Sequence, residues 1–438
     1  MTALRASGFA EEAVRERARE GMASAFPGRQ DYGQVLFGSA PASAVAGTDD
    51  PLDGMRLTPP VFMPQRLEKL LELGREPLHS DVVLETLIGG LRSTLPLYVS
   101  ALGSTAAAGT EHVLNASRQA GRLGIPMTVG ENVVPMSGYG RAGEQTRRTV
   151  LDRLAAYQEE LPDGSGGVAI QQSTEDADAE VWNLVYSDPS VQPLLTSGRL
   201  AFELKVGQGA KPGLGGMTLL NRAAAAHVDK QYALDPIYGQ EAGEVLRCGS
   251  AGTFTAEILR QQIRLMRNNF PRVKVWVKLH PGRDVALAAA TAWEAGADAV
   301  VVDGAEGGTG WAPLATIGQV GLPLGECLTR IGNSDACLLA SGRMWEGGRA
   351  VKCLALGATA VGLGRAALLA VDEDPAEGLI RLVSCLALEL RLLISALGKY
   401  DPRELGPEDL WPLPTSGSGS PRRQTGQLLG TSDDFITL

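Results

Sequence analysis

The chain is poor in the residues from which metal centres and disulfide frameworks are built. Its five cysteines, Cys248, Cys327, Cys337, Cys353 and Cys385, are scattered, odd in number and free of any CxxC pair. Only four histidines occur, His79, His112, His227 and His280, and no two are close enough for a local metal motif. Zinc ribbons and disulfide scaffolds are thereby excluded, and reduced, mostly buried thiols are expected. A Ser-His-Asp triad has no support either. No apolar run approaches the ~20 residues of a membrane span. The start, "MTALRASGFAEEAVRERARE", is a charged helix without a signal-peptide core, so a cytoplasmic protein with no membrane partner is expected. An excess of basic charge is lacking too: the formal net charge of −10 argues against nucleic acid as a partner.

What the chain does have is apolar content, 44%, enough for a full core in one large domain or two ordinary ones. Eight short apolar runs recur at 95–103, 125–132, 167–173, 199–207, 273–280, 298–304, 336–342 and 358–364. Each is rich in Val, Ile, Leu or Ala with little alternation, as parallel strands covered on both faces should be. Between them lie segments with apolar residues at three- and four-residue spacing, such as "TFTAEILRQQIRLMRNNF" and "RDVALAAATAWEAGA". Gly124, Gly296 and Gly357 stand where left-handed C-caps are wanted. The pattern predicts an α/β protein, a (β/α)8 TIM barrel, in preference to a doubly wound open sheet. We expect an N-terminal helical and linker extension over 1–90, the barrel over 91–400 with a long insertion after strand four, and a flexible tail over 401–438.

Barrels of this kind keep their chemistry at the C-terminal ends of the strands. The residues following the runs are therefore the candidates: Ser104 and Thr105, Glu131, Gln171 and Gln172, Lys205 and Lys211, Lys278, then Asp303 and "GAEGGTG", Gly342, and Gly362, Gly364 and Arg365. "EGGTG", "ASGR" and "GLGR" each precede a helix. Without side chains they leave backbone N–H groups free to approach a phosphate, which helix N-termini also favour. An ammonium at the end of the apolar run "VWVKLH", Lys278, suits the N1–C2=O edge of a flavin. Gln171 or Gln172 could hydrogen-bond the pyrimidine edge of the same ring. "KVGQGAKPGLGG" places five glycines in ten residues around Lys205 and Lys211, but without the Lys-Ser/Thr ending of a nucleotide-binding P-loop.

With those residues in view, the chain resembles the FMN-binding domain of the glutamate synthase family over most of residues 85–400. "KVGQGAKPGLGG", "VWVKLHPG", "VVVDGAEGGTGWAPL", "SGRMWEGGRAVKCLALGATAVGLGRAALLA" and "VGENVVP" carry the resemblance. More distantly it is similar to type 2 isopentenyl diphosphate isomerase. The family resemblance implies FMN as cofactor. Gly307, Gly308, Thr309, Gly342, Gly362, Gly364 and Arg365 would hold its phosphate, and Ser104 and Thr105 would line the isoalloxazine. It also implies that Lys205 and Lys211 face the carboxylates of a 2-oxoglutarate-like substrate under a closing glycine-rich loop, with Glu131 nearby.

The chain departs from the family pattern in three places. Nothing at "MTALRA" resembles the glutamine-hydrolysing domain. Cys385 stands alone where the family keeps an iron–sulfur cluster, so none is expected. Leu214 replaces an acid in "KPGLGG". The expected function is an FMN-dependent oxidoreductase acting on a small amino or imino acid, with amide transfer and electrons supplied by partner subunits or a soluble carrier, and a homo-oligomer allowed. A redox-neutral isomerase-like FMN barrel and a flavin-free scaffold subunit are the alternatives.

Overall fold

The computed structural model describes residues 4–6, 8–25, 50–102, 105–130, 144–173, 181–207, 209, 218–229, 233–237, 239–241, 243–248, 255–307 and 319–412. Its centre is a closed barrel of eight strands. They are β1 (Leu97–Val99), β2 (Met127–Val129), β3 (Val168–Ser173), β4 (Leu200–Lys205), β5 (Lys274–Leu279), β6 (Ala299–Asp303), β7 (Leu338–Ser341) and β8 (Ala360–Leu363). Every neighbouring pair is parallel, and the ring closes where Val361, Gly362 and Leu363 of β8 face Leu97, Tyr98 and Val99 of β1. The eight apolar runs are these eight strands. Gly124, Gly296 and Gly357 have φ of +67°, +103° and +96°, the left-handed region that ends a helix most easily at glycine.

Alternation along each strand sorts side chains between two cores. Val168, Ile170, Phe202, Val275, Val277, Val300 and Val302 face outward into the larger core under the helices. There Phe202 stacks on Trp182 at 5.6 Å and meets Phe270 edge-on at 5.0 Å. Ala169, Ala201, Trp276, Ala299, Val301, Leu339 and Ala360 face inward. A hairpin of Thr86–Ile88 and Leu91–Ser93 plugs the N-terminal end of the barrel, adding Ile88 and Leu91 to the inner cluster. Its turn is Gly89-Gly90, with φ of +51° and +86°, and Trp276 Nε1 donates to the Gly89 carbonyl at 3.0 Å. A Cβ at Gly89 would lie 2.3 Å from that Nε1, so only glycine fits.

The N-terminal extension is helical at Glu11–Glu20, which packs against the helices Arg365–Glu373 and Gly378–Ala396. Within the 206–252 insertion lies an antiparallel three-stranded sheet of Thr218–Asn221, Glu244–Cys248 and Ala233–Asp235, which the sequence reading did not anticipate. A further short strand, Met55–Leu57, pairs antiparallel with Leu410–Pro412. Among the described residues no helix is long and apolar enough to cross a membrane.

Candidate active site

Above the apolar inner cluster the barrel interior turns polar. The inward positions toward the C-terminal mouth are Tyr98, Thr128, Gln171, Glu203, Lys278, Asp303, Ser341 and Gly362, one from each strand in order. The seven with side chains are each at most 5% exposed. Strand parity puts Gln171 inside, because Val168 and Ile170 lie in the outer core, and it puts Gln172 on the other face. Lys278 Nζ lies 2.9 Å from Asp303 Oδ2, and Ser341 Oγ donates to Asp303 Oδ1. Gln171 Nε2 donates to Glu203 Oε1. Burial raises the pKa of Glu203, while Lys278, Gln171 and Lys205 oppose it and Asp303 reinforces it. Lys205, 9% exposed, stands in register with Lys278 on one side and Ser173 on the other. Thr128 Oγ1 is buried with no hydrogen-bond partner among the described residues.

The loops after β6, β7 and β8 form a second group beside this ring. Gly342, φ +132°, lies so close to the β6 loop that a Cβ there would be 3.3 Å from the Gly304 nitrogen. Arg343, with φ +50°, is the one non-glycine residue with positive φ among the described residues, a conformation that costs about 1–2 kcal/mol. Its Nη1 is held 2.9 Å from Asp53 Oδ2. Arg365 Nη2 donates to the Glu306 carbonyl at 2.7 Å, and its guanidinium lies 4.7 Å from the centre of the Phe9 ring. Burial, with Arg343 alongside, lowers the pKa of Arg365. Behind them the buried Arg349 ties the loops together. It reaches Asp50 Oδ2 at 2.5 Å, Glu306 Oε1 at 2.7 Å, Asp53 Oδ1 at 3.0 Å and the Gly342 carbonyl at 3.1 Å. Burial beside Asp50 pushes Glu306 up to about 8. Burial also disfavours ionised Asp50, but Arg349 together with hydrogen bonds from Glu306 and Leu52 holds that carboxyl below its ordinary range.

Residues 131–374, more than half of the chain, match the conserved region in glutamate synthase. The chain belongs to the glutamate synthase family. It is 32% identical over 186 residues to the archaeal-type glutamate synthase [NADPH] of Dehalococcoides mccartyi, across 40% of this chain and 36% of that protein. It is 36% identical over 188 residues to the glutamate synthase large subunit-like protein of Rhizobium meliloti, across 40% of each. The matched stretches thus span well under half of these curated relatives. The fold is that of (S)-mandelate dehydrogenase from Pseudomonas putida, with a TM-score of 0.53 at 18% identity over 92% of this chain and 99% of that one. Flavocytochrome b2 has the same fold, with a TM-score of 0.51 at 16% identity over 88% and 85%.

Set against this glutamate synthase-family barrel, the residues singled out in the sequence separate clearly. Gln171, Lys205, Lys278, Asp303 and Gly362 come together at the mouth; Gly307, Gly342, Gly364 and Arg365 lie in the late loops beside it. Gln172 does not share the inner face. Thr105 begins the helix Thr105–Leu123. Ser104, Glu131, Lys211, Gly308 and Thr309 lie outside the described residues. The sequence reading reached Arg343 only as the end of the loop "ASGR", with no role of its own; Glu203, Arg349, Glu306, Asp50 and Asp53 escaped it. Glu203 carried a signal, a charge inside the buried run "LAFELK". Asp50 and Asp53 carried none, since they sit at the edge of a Gly/Pro/Ala-rich stretch some 290 residues from their partners.

Proposed function

We propose that this barrel is an FMN-dependent oxidoreductase of the glutamate synthase type, acting on a small amino or imino acid with a second carboxylate. The observation that carries the reading is the convergence, at one barrel mouth, of Lys278 and Gln171 with the Gly342-Arg343 and Gly364-Arg365 loops. Two guanidinium groups of like charge, Arg343 buried and Arg365 half-buried, beside bare backbone suit a phosphate dianion. The glycines leave a cradle that Cβ atoms would fill: at Gly364 an added Cβ would come 3.3 Å from Ser100 Oγ. The unpartnered Thr128 hydroxyl and the inward polar ring suit a ring system edged with carbonyl and N–H groups rather than an apolar ligand.

When bound, FMN supplies reversible hydride transfer. The residues of this chain supply the rest. Lys278, its ammonium oriented by Asp303, holds positive charge at the mouth where negative charge develops. Gln171 would hydrogen-bond the polar edge of the ring, and Arg343, Arg365 and the loop amides would hold the phosphate. Lys205 and Lys211 would bind the substrate carboxylates. In the synthetic direction electrons would come from a partner subunit or a soluble carrier; in the reverse direction glutamate itself would supply them.

The test is a visible spectrum of the purified protein with chromatography of the released chromophore, followed by anaerobic addition of glutamate. Flavin bands, released FMN and bleaching by glutamate are expected. A colourless protein that also fails to take up added FMN would overturn the reading.

A further inference from the structure

We propose that Glu203 is a positioning residue that fixes the carboxamide of Gln171. With one amide N–H held by Glu203, Gln171 keeps its carbonyl oxygen on the opposite side of the amide, and the site favours a ring carrying an N–H donor at that edge. The inference rests on the FMN reading above and adds to it the rule by which the ring is recognised.

Gln171 and Glu203 are register partners on β3 and β4, both facing inward, and they are 3% and 1% exposed. A glutamine amide can turn over with little change of shape, exchanging donor for acceptor. The carboxyl oxygen of Glu203 accepts, so the amide points its NH₂ group at Glu203. One Nε2–H is taken in this way, and Oε1, on the other side of the amide, is the acceptor that Gln171 keeps for a ligand. Burial raises the pKa of Glu203, and Lys278, with Gln171 and Lys205, works against that rise in favour of the charged form. Their presence explains how a carboxylate can sit in the wall of the barrel. The matching chemistry is an imide, an N–H flanked by two carbonyls, as on the pyrimidine ring of a flavin. A ring with that nitrogen blocked would leave Oε1 buried against a methyl group.

The experiment uses the full chain and compares binding of FMN with that of FMN methylated at the imide nitrogen, by quenching of flavin fluorescence. The parent should bind FMN at least ~10-fold tighter than the methylated form, the value of about one hydrogen bond. In Glu203→Gln the neighbouring amide can donate as well as accept, Gln171 is free to turn, and the ratio should fall below about threefold. Gln171→Leu should lower the ratio equally, and the double variant should lower it no further. Thermal melting without flavin reports whether each variant folds. A folded Glu203→Gln protein that keeps the parent ratio overturns the inference and leaves the FMN reading intact. If Glu203→Gln does not fold, Gln171→Leu decides: an unchanged ratio there also overturns it. A parent that binds both flavins equally well overturns it directly. A parent that binds neither overturns the FMN reading, and the inference with it.

Discussion

Lys278 and Asp303 are charges held inside a barrel wall, with side chains 5% and 4% exposed. Neither is tolerable there alone. Removing the ammonium leaves a buried carboxylate supported, among the described residues, by the Ser341 hydroxyl alone, a loss of about 3–5 kcal/mol. Lys278→Met should therefore unfold at markedly lower urea, and adding Asp303→Asn should restore much of the difference. If Lys278→Met is as stable as the parent, the pair is not mutually dependent. Sequence reading reached Lys278 because a lysine closing an apolar run is conspicuous. It missed Glu203, which is equally buried, because a lone acid within a strand gives no sign of which partner shares its face. Parity resolves the Gln171–Gln172 ambiguity only once the outer face is known from Phe202 and its aromatic neighbours.

Among the elements, the short helix Pro51–Gly54 has the largest effect for its size. Asp50 caps it by accepting from the Leu52 nitrogen, and the same side chain accepts from the Gly325 nitrogen. Lys352 Nζ donates to the Leu52 carbonyl at 2.9 Å. Asp50 and Asp53 thus join an otherwise separate segment to the loops after β6 and β7. The acid group includes Glu306, whose pKa is raised in the folded protein to about 8. The folded state therefore binds more protons than the unfolded chain between its ordinary carboxyl range and pH 8. The stabilisation is fully present below that range and is lost as pH rises through about 8. Thermal melting should accordingly show stability falling from pH 6 to pH 9, with Glu306→Gln flattening the slope. An identical pH profile in parent and variant would remove Glu306 as its source. The eight strands were legible because parallel strands covered on both faces read as unbroken apolar runs. The strands Thr218–Asn221, Ala233–Asp235 and Glu244–Cys248 were not, being short, polar and solvent-facing in part.

For the whole molecule, the proposed FMN binding would be linked to stability. A ligand that binds only the folded chain adds about 2.7 kcal/mol at one hundred times its dissociation constant. Added FMN should therefore raise the melting temperature by several degrees, and riboflavin, which lacks the phosphate, should raise it much less. Equal shifts from the two would detach Arg343, Arg365 and the late glycine loops from phosphate recognition. The residues that assemble this cup come from distant parts of the chain: Asp53 meets Arg343 across 290 positions and Asp50 meets Arg349 across 299. Leu57 pairs with Leu410 farther still. A ribosome adding 5–20 residues each second makes Asp50 and Asp53 long before their arginines exist. Until residue 349 emerges, these carboxylates wait in water, and the β7 loop, once made, gains its anchor at once. Assembly of the cup is therefore a late event in the life of each new chain, and the cofactor would be loaded onto nearly finished protein.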